Sequence, residues 1–108
     1  MNTNNKNNNN NQDHLNILRA ISKKPKISQR KMANQLGFSL GKLNYCLGAL
    51  KKKGLVKIGN FSKNPNKLSY AYILTPKGIS AKTRLTVNFM KRKMTEYDEL
   101  RLEIEEGK

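Results

Sequence analysis

Between Ser39 and Lys52 the chain reads SLGKLNYCLGALKK. At 100° per residue, one side of a helix here carries Gly41, Lys42, Tyr45, Gly48, Ala49 and Lys52. Those types can do a defined kind of chemistry. Lysine ammonium groups donate hydrogen bonds to phosphate oxygens and to the acceptors on base edges, and a tyrosine ring stacks while its hydroxyl donates or accepts. Asn44, on the flank, carries the amide that pairs with adenine. Ser39 and Lys42 occupy the first turn, the part of a recognition helix that usually meets bases. Each glycine in a helix interior costs about 1 kcal/mol relative to alanine, so the slim face has a cost in helix propensity. A helix entering a groove about 12 Å wide gains from slimness. Gly41 and Gly48 would there let the backbone approach phosphates and base edges; the alternative use of the same glycines is close packing of a neighbouring helix.

Further candidate contacts lie on either side. Ser28, Gln29 and Arg30 open a second predicted helix, whose N-terminal amides suit a phosphate. Lys63 and Lys67 flank Asn64-Pro65-Asn66, a turn whose lysines suit phosphate or minor-groove contact. Catalytic constellations are missing. His14 is the single histidine and is expected at the surface, and the middle of the chain has no carboxylate for acid–base work or metal binding. No P-loop or glycine-rich dinucleotide motif occurs, so neither enzymatic activity nor a cofactor is expected.

Charge points the same way as the motifs. The 108 residues carry a formal net charge of +15, unevenly placed. Residues 1–95 hold twenty Lys and Arg against one acid, Asp13, whereas residues 96–108 hold two bases and six acids. A surface that only needed solubility would mix both signs; this one attracts polyanions through its summed field. The single cysteine, Cys46, forms no internal disulfide and suits a reducing, cytoplasmic setting. No apolar run is long enough for a membrane span.

The elements that must position these residues follow from local signals. The asparagine-rich residues 1–12 are expected to be a disordered tail. Asp13 then caps a first helix bearing Leu15, Ile17, Leu18 and Ile21, which ends before Pro25. Ser28 caps a second helix that Gly37 closes, and Ser39 caps a third, from about Leu40 to Lys53, that Gly54 stops. On this third helix Leu40, Leu43, Leu47 and Leu50 are expected to face the core. LVKIGNF and LSYAYIL read as the strands of a hairpin around SKNPNK. Thr75 caps a long last helix with Pro76 at its first position. Apolar pairs Ile27/Met32, Phe38/Leu43 and Leu74/Ile79 flank three of the caps as hydrophobic staples. The fold class is α+β, mainly helical: a winged helix-turn-helix over 13–75, followed by a long helix over 76–108.

The last helix carries Thr83, Val87, Met90, Met94, Tyr97, Arg101 and Ile104 at alternating four- and three-residue steps, the spacing of a coiled-coil seam. Val87, Met90, Met94, Tyr97 and Ile104 are the expected dimer contacts. Leu85 and Phe89 fall on another face and are expected to pack on the chain's own domain. Lys91, Arg92 and Lys93 precede Glu96, Asp98 and Glu99, so antiparallel pairing about Met94 sets acid against base.

ISQRKMANQLGFSLGKLNYCLGALKKKGLVKI resembles the helix-turn-helix of MarR-type regulators. KNPNKLSYAYILTPKGISAKTRLTVNFMKRKM resembles the wing and following helix of a small branch of that family associated with exopolysaccharide genes. The resemblance spans roughly residues 15–105; YAYILTPKGI and SLGKLNYCL carry most of it. Lys31 stands where relatives often have an acid, and Lys51 and Lys52 where many have glutamate, so the departures add positive charge. The resemblance implies a dimeric, sequence-specific regulator of transcription that binds double-stranded DNA, with exopolysaccharide genes as its targets. The residues also fit a nonspecific RNA-binding or architectural protein, or a protein-interaction adaptor that docks through the last helix.

Overall fold

The computed structural model describes residues 3–60 and 70–107. Four helices and one hairpin follow in the order α1 (Thr3–Lys23), α2 (Gln29–Leu36), α3 (Leu40–Lys52), β1 (Val56–Asn60), β2 (Tyr70–Leu74) and α4 (Pro76–Glu106).

Local chemistry sets most of the boundaries. The hydroxyls of Ser28, Ser39 and Thr75 accept from the backbone N–H of Lys31, Lys42 and Gly78, each three residues on, and so satisfy one orphan amide per helix. α2 and α3 both end in a Schellman turn. Gly37 sits at φ 71°, with its own N–H donating to Asn34 and that of Phe38 donating to Ala33. Gly54 sits at φ 75°, with the N–H groups of Gly54 and Leu55 donating to Lys51 and Leu50. Glycine is favoured at both because its lack of Cβ removes the penalty of the left-handed conformation.

β1 and β2 pair antiparallel, in a register that sets Val56 opposite Leu74 and Ile58 opposite Tyr72. The N–H of Tyr72 also donates to the carbonyl of Pro25, which ties the hairpin to the α1–α2 turn. The core gathers Ile17, Leu18 and Ile21 of α1, Met32 of α2, Leu43, Leu47 and Leu50 of α3, and Val56 and Tyr72 of the hairpin. α4 is latched to the corner after α3: Thr75 donates its N–H to the Leu55 carbonyl and its hydroxyl to the Gly54 carbonyl. Gly78 lies against Leu55 so closely that a Cβ would collide with that carbonyl.

Several expectations are corrected. α1 starts at Thr3, so residues 3–12 form helix where a disordered tail was expected, and Asp13 lies inside the helix instead of capping it. No Gly or Pro occurs before Pro25. A helix anchored by Leu15, Ile17, Leu18 and Ile21 then propagates at one hydrogen bond per residue, which offsets the modest propensity of asparagine. Gln12 donates to Asn16 across one turn at 3.1 Å. His14 is consequently buried in the packed part of α1. Leu40 is exposed, and Cys46 takes the place expected for it in the core face of α3. The third staple does not close over, because Ile79 is exposed.

α4 divides in two. Its first half packs inward through Gly78, Ala81 and Leu85. From Lys93 to Gly107 every residue is exposed. Its 31 residues measure about 46 Å at 1.5 Å per residue, and they account for much of the 65 Å long axis of the molecule.

Candidate nucleic-acid interface

α3 is held by its buried face, and the opposite face is open. Gly41, Lys42, Asn44, Tyr45, Gly48 and Lys52 are all exposed, and Tyr45 has 79% of its surface free. A Cβ added to Gly41 or Gly48 would have nothing within 4 Å. The two glycines therefore accommodate no neighbour within the described chain, and the packing alternative loses its support there. What they leave is a strip of bare helix backbone between Lys42 and Lys52.

Ser28 and Arg30 are exposed and Gln29 half-buried at the start of α2, beside a cleft edged by Lys24, Lys26 and Lys31. Ser28 and Ser39 spend one lone pair on capping and keep a hydroxyl proton to donate. The N-termini of α2 and α3 are thus each capped by a serine and followed by an exposed cation, Arg30 and Lys31 on α2 and Lys42 on α3. Lys63 and Lys67, expected at the wing tip, lie outside the described residues.

One member of the set is engaged. The Lys42 ammonium lies 3.1 Å from a carboxylate oxygen of Asp13 and 4.3 Å from the centre of the Phe38 ring. Asp13, expected to cap α1, instead lies inside the helix and pairs with α3. The only sequence signal for it was the isolation of one acid among twenty bases.

Two titratable groups of the packed interior are shifted by burial. Burial holds His14 below the ordinary histidine value; Lys53 adds to that effect and Asp13 opposes it. Burial raises the Cys46 thiol, reinforced by Asp13 and opposed by Lys42, so it stays protonated and serves as core. Among the described residues no group of three or more His, Cys, Asp or Glu could hold a metal ion, and no described helix is long and apolar enough to cross a membrane.

Residues 14–57 match the family model for winged helix-turn-helix DNA-binding domains. The chain folds as a winged helix-turn-helix. No curated protein matches it in sequence. Solved structures of transcriptional regulators match it in shape. PcaV of Streptomyces coelicolor, in complex with its natural ligand, superposes with a TM-score of 0.63 at 16% identity, over 89% of this chain and 75% of that one. The MarR family transcription regulator SP03579 gives 0.61 at 20% identity, over 84% and 66%. The transcriptional repressor CouR, bound to a 23-mer DNA duplex, gives 0.65 at 24% identity, over 80% of this chain and 59% of that one.

Proposed function

We propose that this protein is a sequence-specific regulator of transcription that binds double-stranded DNA as a homodimer, with α3 in the major groove. The observation that carries the proposal is the outer face of α3. It is cationic, carries an exposed tyrosine, and is stripped of side chains at Gly41 and Gly48, with nothing in the described chain to account for the stripping. Lys42, Asn44 and Tyr45 reach base edges, while Lys52, the α2 N-terminus with Ser28, Gln29 and Arg30, and Lys63 and Lys67 of the wing hold phosphates. CouR, similar in shape, is a repressor captured on duplex DNA. The resemblance of the wing and last helix extends the proposal to exopolysaccharide genes as targets, and the low cysteine content to a cytoplasmic protein.

α4 supports the dimer. Val87, Met90, Met94, Tyr97 and Ile104 form a stripe that the described residues leave exposed. Antiparallel pairing about Met94 would bury the stripe and bring Glu96, Asp98 and Glu99 of one helix beside Lys91, Arg92 and Lys93 of the other. Two copies related by a two-fold axis match palindromic half-sites.

Selection of bound fragments from a random duplex pool tests the reading. Enrichment of an inverted repeat, with half-site centres about one or two helical turns apart, is the expected result. Recovery of a pool with no shared motif would favour the nonspecific architectural reading, and preferential capture of RNA the RNA-binding one.

A further inference from the structure

Asp13 is the one acid among the first 95 residues. Its carboxylate oxygen sits 3.1 Å from the Lys42 ammonium, in the first turn of α3. The same ammonium lies over the Phe38 ring at 4.3 Å. α1, the α2–α3 turn and α3 thus converge on a single cation of the proposed DNA face. A carboxylate presents an ammonium with the same kind of acceptor that a phosphate oxygen or the O6/N7 edge of guanine does. The ammonium cannot bond to DNA while keeping this partner without bringing a carboxylate against a polyanion.

We propose that Asp13 is an intramolecular competitor of DNA: the Asp13–Lys42 ion pair is the contact that duplex DNA displaces, and it sets the affinity of the interface. The inference rests on the DNA-binding reading above. In the free protein the pair holds the Lys42 side chain beside Phe38. In the complex Lys42 transfers to a DNA acceptor and Asp13 is left to attract a cation from solution. That uptake partly cancels the counterion release that drives binding, so the intact pair flattens the salt dependence.

The test is a titration of the full chain with a fluorescent duplex across a series of KCl concentrations. Wild type is compared with Asp13→Asn and Asp13→Glu, with thermal unfolding followed by circular dichroism to check each fold. Asp13→Asn is expected to bind both selected and random duplex about two- to fivefold more tightly, the range that the coupling of an exposed ion pair allows. It should also steepen the log–log salt slope, by no more than the roughly 0.9 that one phosphate contributes. Asp13→Glu, which keeps the pair, should retain the wild-type slope. In a Lys42→Met background the Asp13→Asn change in slope should vanish, because the competitor no longer has a cation to hold. Weaker binding by Asp13→Asn would make Asp13 a support for Lys42 in the complex and overturn the proposal. An unchanged slope, or a slope change that persists without Lys42, would overturn it equally. In each of those outcomes the wild type still binds duplex, so the broader reading survives; a wild type that binds no duplex at any salt would defeat both.

Discussion

The outer face of α3 and the distal half of α4 are both left uncovered by the described residues, and they are opposite in kind. α3 presents Gly41, Gly48, Lys42 and Lys52, small or cationic, with Tyr45 as its one large exposed ring. Distal α4 presents Met94, Tyr97, Leu100, Leu102 and Ile104, large and apolar, among six acids. A thin cationic face with bare backbone suits a polyanionic groove that must be approached closely. A broad apolar stripe edged by acids suits a protein surface, and in the proposed dimer that surface is the basic first half of the same helix in a second copy. Uncovered helix faces thus carry information through what they expose: one omits side chains, the other keeps large apolar ones in water.

The largest effect that could break this contrast is at Met94. Met94→Glu places a charge in the proposed seam, where an unpartnered carboxylate is costly to bury. The expected result is a folded monomer by light scattering, with affinity for a palindromic duplex lower by about 10²–10⁴-fold because the second half-site is no longer engaged by a linked copy. A dimer that survives the change would put the seam elsewhere on α4.

Substitutions on α3 should act on binding and leave assembly untouched. Lys42→Ala and Tyr45→Ala are each expected to weaken binding to the selected duplex by about 1–3 kcal/mol, the value of a base contact, with a smaller loss on random duplex. Equal losses on the two duplexes would assign both residues to the backbone.

The smallest change is the sharpest in logic. Gly48→Ala adds one methyl group in open space. Alanine should stabilise the helix by about 1 kcal/mol, raising the unfolding midpoint, while the same methyl reduces clearance and weakens DNA binding. Stability and binding moving in opposite directions is the signature of a functional glycine. A gain in stability with no loss of binding would make Gly48 incidental.

These sites differ in how legible they were in the sequence. The caps at Ser28, Ser39 and Thr75 and the left-handed turns at Gly37 and Gly54 were readable because each acts within five residues of itself. The start of α4 at Pro76 was readable for the same reason, and the pairing of VKIGN with YAYIL from the turn residues between two β-prone runs. What was not readable depends on distant parts of the chain. Asp13 has the composition of a cap, and only the approach of α3 makes it the partner of Lys42. His14 is buried because α1 continues through it and packs there, which the polar residues before it do not signal. Leu40 fits the apolar spacing of α3, yet no element among the described residues covers it. In LTPKG the role of Gly78 is invisible locally, because its need for hydrogen in place of Cβ arises from the Leu55 carbonyl, twenty-three residues earlier.

Competition binding of the wild-type chain tests the central claim most directly. A labelled duplex recovered by selection is bound at physiological salt and challenged with unlabelled selected duplex, random duplex and single-stranded RNA. If α3 reads sequence, the selected duplex should compete about 10³-fold or more better than random duplex, the lower end of the usual specificity ratio, and RNA should compete no better than random DNA. Equal competition by all three would contradict sequence-specific recognition and leave only a basic surface that binds polyanions without discrimination.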